Sequence, residues 1–238
     1  MILPNVRASF GRTEAGTILG LLAAGDTAAR ERLWDRLRDE GFDALLDDPR
    51  TLNAVLTAQH DVRPAIVFYL MVRHALLETG IDDRTLADYL AALLLEFGRE
   101  DRAFRAGAGD PERFHYLVDL MAAADTPDGR RQFLLRAHLG EYALWLSGIF
   151  PDYVTARVVR RGAPGLRYFE EMGATGYRMA AGSPLASAHG MDSLYHAAAD
   201  AFGELRVALN RISDRYFFPG RGGAAERLLR QVTDAFGG

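Results

Sequence analysis

Apolar residues recur along this 238-residue chain at the three- and four-residue spacing of amphipathic helices. The stripe at 84–97 shows it well, with these members: Leu86, Tyr89, Leu90, Leu93 and Phe97. A second stripe runs through 191–218, which the spacing predicts as one long helix. Alternation of apolar and polar residues never continues for more than a few positions, so strands are not expected. The pattern therefore predicts an all-α protein.

Aspartate, proline and glycine mark the boundaries of the predicted helices. Asp48 followed by Pro49 predicts a start, and Gly80 predicts a stop. The resulting expectation is one globular bundle of about ten helices over 1–238, with a possible loop break near 98–110. The predicted helices are 13–24, 26–40, 49–60, 64–79, 84–97, 111–124, 127–150, 151–161, 166–181, 191–218 and a short one at 224–236. Residues 65–77 and 139–150 are apolar on almost every side, which predicts burial.

Two residue types are missing from the composition. The chain has no cysteine, and all 28 of its cationic side chains are arginine. Disulfides, thiolate catalysis, cysteine-based zinc sites, Schiff-base lysines and P-loop lysines are therefore excluded. The replacement of lysine by arginine indicates the codon bias of a GC-rich, bacterial type of genome.

The charges are unevenly distributed along the chain. The formal net charge is −4. Residues 1–126 carry 14 arginines against 21 acidic residues, and residues 127–238 carry 14 arginines against 11. An acidic balance argues against nucleic-acid binding, which needs a strongly basic surface. The basic second half still allows a local site for an anion.

The N-terminal stretch shows no secretory pattern of cationic residues followed by a long apolar run. Uncharged apolar runs elsewhere are shorter than the ~20 residues that a bilayer span requires. These features predict a soluble, cytoplasmic protein without a membrane span.

His138 and Glu141 are the first candidates for chemistry. They lie three residues apart, and so on one helical face, together with Leu134 and Trp145. A histidine and a carboxylate on an apolar face are either a general acid–base pair or an ordinary contact that joins neighbouring helices. We name both residues as catalytic candidates and leave the structural interpretation open beside them.

Metal binding has weaker support. The pairs His74/Glu78, His115/Asp119 and His196/Asp200 have helical spacing but are equally typical of surface ion pairs. A ferritin-like di-iron bundle needs two Glu-x-x-His motifs, and Glu112 with His115 is the only one here. No metal ligand is therefore predicted.

A cluster of arginines surrounds the predicted turn at 162–165. Its members are Arg157, Arg160, Arg161 and Arg167. Arginine forks bind carboxylate or phosphate, although cations are also favoured at helix C-termini for structural reasons. Trp145 and Tyr153, in the aromatic segment WLSGIFPDY, are added as candidates because this segment can wall an apolar pocket beside His138 and Glu141.

Two functions follow from these features. The favoured one, since no catalytic motif is complete, is a non-enzymatic binding or regulatory protein that engages a protein partner or a small anionic ligand. The alternative is a helical enzyme or metal-binding protein with a pocket around His138, Glu141 and Trp145, to which His74 is a further candidate. No motif specifies a cofactor or an oligomeric state.

Overall fold

The computed structural model describes residues 1–59, 62–99, 101–107 and 109–219. In this part of the chain the backbone forms thirteen α-helices and no strand, which confirms the all-α prediction. The predicted helix at 224–236, and the glycines at 220, 222 and 223, lie outside the described residues. Among the described residues no helix has both the length and the hydropathy of a membrane span.

The chain divides into two compact units, Ile2–Arg102 and Ala103–Gly238, the second including Met1. The division falls inside the loop break that the sequence places near 98–110. Compact units are not by themselves independent domains, so the single-domain expectation stays a prediction. The N-terminal unit contains α1 (Arg12–Ala23), α2 (Thr27–Glu40), α3 (Phe42–Leu46), α4 (Pro49–Leu56), α5 (Pro64–Glu78) and α6 (Arg84–Phe97).

The C-terminal unit contains the other seven helices. They are α7 (Leu117–Ala123), α8 (Gly129–Ile149), α9 (Pro151–Arg161), α10 (Leu166–Ala181), α11 (Pro184–Ala188), α12 (Asp192–Asp200) and α13 (Phe202–Ile212). A π-helix, Ser213–Phe217, continues α13, and short 3₁₀ turns cover Arg7–Ser9 and Arg102–Phe104.

Aspartate caps and prolines start many of these helices, as the sequence predicts. The Asp48 carboxylate accepts the backbone N–H of Arg50 at the start of α4, where Pro49 occupies the first position. Asp83 caps α6 by accepting the N–H groups of Thr85 and Leu86. The boundaries of α6, α9 and α10 are those predicted from the sequence.

Three local predictions are wrong. The segment predicted as a helix from Pro111 enters α7 only at Leu117, and the N–H of Phe114 instead donates to the carbonyl of Phe104 at 2.7 Å. The long helix predicted at 191–218 breaks at Ala201 into α12 and α13. Residues 182–190, which the sequence leaves as a loop between the predicted helices 166–181 and 191–218, contain the short helix α11.

Helix α8 is the centre of the C-terminal unit and buries 14 of its 21 residues. It packs closely against α10 because glycines face each other at the crossing. A Cβ atom added to Gly176 would lie 2.8 Å from the backbone N of Gly140 and 2.9 Å from the carbonyl O of Arg136. Gly176, which looks like a weak point of α10 in the sequence, is therefore what allows the two helices to approach.

The core of the N-terminal unit includes a buried cation. Arg73 on α5 is 1 % exposed, and its Nε and Nη2 atoms donate to the two carboxylate oxygens of Asp47 at 2.7 and 2.9 Å. Nη2 also donates to Asp82 at 2.5 Å, and Arg84 donates to Asp47. Burial alone would raise the pKa of Asp47, but the hydrogen bonds from Arg73 and Arg84 outweigh it and lower the pKa.

Candidate functional site

An open cleft of about 460 Å³ in the C-terminal unit is lined mainly by aromatic side chains. Its volume lies within the range of small-molecule sites, roughly 300–1,000 Å³. We call it the aromatic cleft. The residues that line it are Phe104, His115, Tyr116, Tyr142, Trp145, Leu146, Phe150, Tyr153, Arg157 and Arg161.

The C-terminal half of α8 supplies the middle of this ring cluster. Tyr142 and Trp145 lie three residues apart on one face of α8, with ring centroids 6.0 Å apart and planes 29° from parallel. Phe150, at the end of α8, meets Trp145 edge-on at 5.0 Å, and Phe104 meets it at right angles at 6.5 Å. Such offset and edge-to-face pairs are the favourable geometries for aromatic rings.

The segment that leads into α7 forms one wall. The rings of Phe104 and His115 lie 4.6 Å apart, and the Phe114-to-Phe104 backbone hydrogen bond holds the two ends of this segment together. The Tyr142 hydroxyl donates to the carbonyl of His115 at 3.3 Å, which ties the wall to α8. Burial raises the pKa of Tyr142 to about 12, so this phenol stays protonated at neutral pH.

Helix α9 forms the opposite wall and carries the charge. The Arg157 guanidinium carbon lies 5.7 Å from the ring centroid of Tyr116 and 5.5 Å from that of Tyr153. Its Nη1 donates to the Tyr153 hydroxyl at 3.4 Å, while its Nε is buried and donates to no group. Within the described part of the chain, Arg157 forms no ion pair. A half-buried cation is thus held by two ring faces rather than by a carboxylate.

Four of the six predicted ligand-binding residues come together in the aromatic cleft. Trp145, Tyr153, Arg157 and Arg161 line it. Arg160 is exposed and does not line it. Arg167 is also outside it: its side chain is 90 % exposed and pairs with Glu171 at 2.9 Å. The predicted turn between them is present, with Gly162 in the left-handed conformation that ends α9.

An apolar crevice of about 90 Å³ adjoins the cleft and shares six of its lining residues. Beyond these it is lined mostly by apolar side chains, namely Leu117, Val118, Val154, Ala163, Pro164, Tyr168 and Phe169. An engineered cavity of about 150 Å³ binds benzene. The crevice is smaller than that, so it suits a short alkyl group and not a separate ring.

His138 and Glu141 lie close together but outside both cavities. His138 is 0 % and Glu141 1 % exposed, as their apolar face predicts, and Nδ1 lies 3.6 Å from a Glu141 oxygen. The His138 ring stacks on the ring of Tyr142, which lines the cleft, with the two centroids 6.0 Å apart. Burial, followed by the negative charge of Glu141, raises the pKa of Tyr195. A catalytic role for the pair stays a prediction.

The other histidine pairs are not gathered into a metal site. Among the residues that the structure describes, no three side chains of the metal-binding types come together. In the N-terminal unit, the Nε2 atom of His74 lies 2.9 Å from the carbonyl O of Leu46. This hydrogen bond accounts for the position of His74 without a ligand.

Six of the lining residues were not predicted from the sequence: Phe104, His115, Tyr116, Tyr142, Leu146 and Phe150. Tyr142 was detectable, since it shares a helical face with Trp145. Phe104, His115 and Tyr116 were not, because the aromatic wall depends on a non-helical segment whose partner residues are distant in sequence.

No protein-family model matches the chain, and no curated protein or solved structure matches it either.

Proposed function

We propose that this protein is a non-enzymatic binding protein that holds a small organic anion in the aromatic cleft. The observation that carries the proposal is the guanidinium of Arg157, which lies between Tyr116 and Tyr153 without a carboxylate partner among the described residues. A bound anion would supply the negatively charged acceptor that Arg157 does not find among the described residues.

The charge of the lining supports an anion over a cation or a neutral molecule. None of the described residues that line the cleft or the crevice is acidic, whereas Arg157 and Arg161 both line the cleft. Arg161 lies in the last turn of α9, where the helix dipole stabilises positive charge. Arg157 lies one turn earlier, against the rings of Tyr116 and Tyr153. The planar guanidinium groups of both arginines are suited to an oxyanion.

The side chains that line the cleft favour binding over catalysis. Among the described residues that line the cleft, His115 is the one histidine, and none is an aspartate or a glutamate. General acid–base catalysis needs positioned groups within hydrogen-bond reach of the substrate. His138 and Glu141 do not line the cleft, and the His138 ring stacks on Tyr142, which does. The cytoplasmic location and the exclusion of nucleic acid stay predictions from the sequence.

Calorimetric titration of the full chain with a panel of monocarboxylates tests the proposal. The panel contains octanoate, 2-naphthoate and decahydro-2-naphthoate, each beside its neutral amide. We expect at least one carboxylate to bind and its amide to bind more weakly. Replacing Arg157 by Gln should weaken the carboxylate about 10- to 100-fold, the usual effect of losing a charge-assisted hydrogen bond.

Arg160→Gln is the matched control. It removes the same charge from the same helix, but the side chain is exposed and does not line the cleft. The affinity of this variant for the carboxylate should stay within about twofold of the wild-type affinity, because exposed charges contribute little. Equal weakening by the two variants, or no binding of any organic anion tested, would overturn the proposal.

A further inference from the structure

We infer that the anion bound in the aromatic cleft is a planar aromatic carboxylate, an inference that rests on the proposed function. The inference is based on two neighbouring features of the cleft. The Trp145 ring on α8 packs among other aromatic rings, and Arg157 and Arg161 lie on the α9 wall. The ligand ring packs on the ring cluster, and its carboxylate meets the guanidinium groups.

The lining distinguishes a ring from an alkyl chain. Of the ten described residues that line the cleft, seven carry rings and Leu146 alone has an aliphatic hydrocarbon side chain. These rings pack on one another, at 29° between Tyr142 and Trp145 and at 73° between Trp145 and Phe150. The lining is therefore mainly aromatic, and contacts between aromatic rings are more favourable than the buried area alone predicts.

The aliphatic side chains lie in the adjoining crevice instead. Leu117, Val118 and Val154 line it, and its volume of about 90 Å³ limits what enters to a short alkyl substituent. A long acyl chain would have to lie in the ring-lined cleft, where the walls offer it no aliphatic surface besides Leu146. The two cavities thus assign the ring to the cleft and a small substituent to the crevice.

The polar groups favour carboxylate over phosphate. Two arginines line the cleft, Arg157 half-buried and Arg161 exposed. The other polar side chains among its described lining residues are His115 and three tyrosines, of which Tyr142 already donates its hydroxyl to the carbonyl of His115. A phosphate monoester has three terminal oxygens and close to two charges to satisfy, and each unsatisfied acceptor is costly in a half-buried site. A carboxylate has two oxygens, which match one planar guanidinium.

Calorimetric titration of the unmodified full chain with three probes tests the inference. 2-Naphthoate and decahydro-2-naphthoate share a carbon skeleton and a charge and differ in planarity and aromaticity. 2-Naphthyl phosphate keeps the ring and changes the anion. We expect 2-naphthoate to bind about tenfold more tightly than either of the others, as two ring contacts predict.

The outcomes separate this inference from the proposed function. Equal affinity for 2-naphthoate and its saturated analogue would overturn the aromatic part while leaving the binding of anions intact. Tighter binding of 2-naphthyl phosphate would overturn the carboxylate part. If none of the three anions and no octanoate bind, the proposed function itself fails.

A variant locates the ring preference. Trp145→Leu should reduce the preference for 2-naphthoate over the saturated analogue to about twofold while leaving the affinity of the saturated analogue nearly unchanged. Phe104→Leu should act in the same direction, and far-ultraviolet circular dichroism verifies that both variants are folded. A preference that persists at about tenfold in both variants would overturn the assignment of the ring to this cleft.

Discussion

The side-chain amide of Asn210 lies 2.6 Å from the carbonyl oxygen of Gly148 and 2.9 Å from that of Ser147. These carbonyls belong to the last turn of α8. In a continuing helix the N–H of residue 151 would bond to the carbonyl of Ser147, but Pro151 has none. Asn210, on α13, supplies the missing donor from another helix, and so stabilises the corner at which Phe150 and α9 enter the aromatic cleft.

Replacing Asn210 by Ala should lower the free energy of unfolding by about 2–3 kcal/mol, because two buried carbonyls lose their donor. Chemical denaturation followed by circular dichroism measures the change. Asn53→Ala is the control, since Asn53 is an exposed residue of α4 and its loss should cost less than about 0.5 kcal/mol. Equal stability of the two variants would show that the Asn210 cap contributes nothing.

Two glycine-to-alanine changes should alter the free energy of unfolding in opposite directions. At Gly176 the new methyl group would meet the backbones of Gly140 and Arg136, which cannot rotate away, so we expect a loss of about 1–3 kcal/mol. At Gly20, inside α1, an added Cβ meets nothing within 4 Å, and the helix should gain about 0.5–1 kcal/mol. Thermal unfolding of both variants checks the signs; a stable Gly176→Ala protein would contradict the close crossing of α8 and α10.

The sequence predicts the helices well where the signals are local. Asp48 with Pro49, and Gly162 after Arg161, mark boundaries through caps that involve only neighbouring residues. The failure at residues 111–116 has a different origin. The hydrogen bond from Phe114 to Phe104 replaces a helical one there, and a contact ten residues away leaves no trace in helical periodicity.

The candidate site is predicted only in part for the same reason. The aromatic segment contributes Trp145 and Tyr153, and the arginine cluster contributes Arg157 and Arg161, all close in sequence. Arg160 looks equivalent to its neighbours in the sequence but does not line the cleft, because a rotation of 100° per residue separates adjacent positions on a helix. Charge and composition cannot show which arginine of a cluster meets a ring.

The two carboxylates on Arg73 should differ in importance. Asp47 binds the buried guanidinium through two oxygens, whereas the Asp82 side chain is 73 % exposed. Asp47→Asn should cost about 3 kcal/mol, since it leaves a buried charge poorly paired. Asp82→Asn removes the same charge and should cost under about 1 kcal/mol. Urea denaturation of both variants at pH 7 measures the difference. An equal loss of unfolding free energy in the two variants would show that the burial of the Asp47 contact is not important.

Asp48 should contribute to stability in a pH-dependent way. Its carboxylate is 5 % exposed and accepts hydrogen bonds from the side chains of Arg50 and Arg36. The hydrogen bond from Arg50 is the main cause that lowers the pKa of Asp48 from 3.8 to about 2, against the opposing effect of burial. Because the folded pKa lies below the unfolded one, the stabilisation is present above pH 4 and is lost as the pH falls towards 2. It amounts to about 2 kcal/mol.

The variant Asp48→Asn isolates this contribution, because asparagine also caps helices well and keeps the start of α4. At pH 6 the variant should be about 2 kcal/mol less stable than the wild type, and the difference should shrink to near zero by pH 2. Asp26→Asn at the start of α2 is the control: Asp26 is exposed and accepts only backbone N–H groups, so the change should be small at pH 6. Denaturation series at pH 6, 4, 3 and 2 give the profile. A deficit of Asp48→Asn that persists undiminished at pH 2 would indicate that its effect comes from packing, because at that pH the wild-type carboxylate is about half protonated and most of its electrostatic contribution is lost.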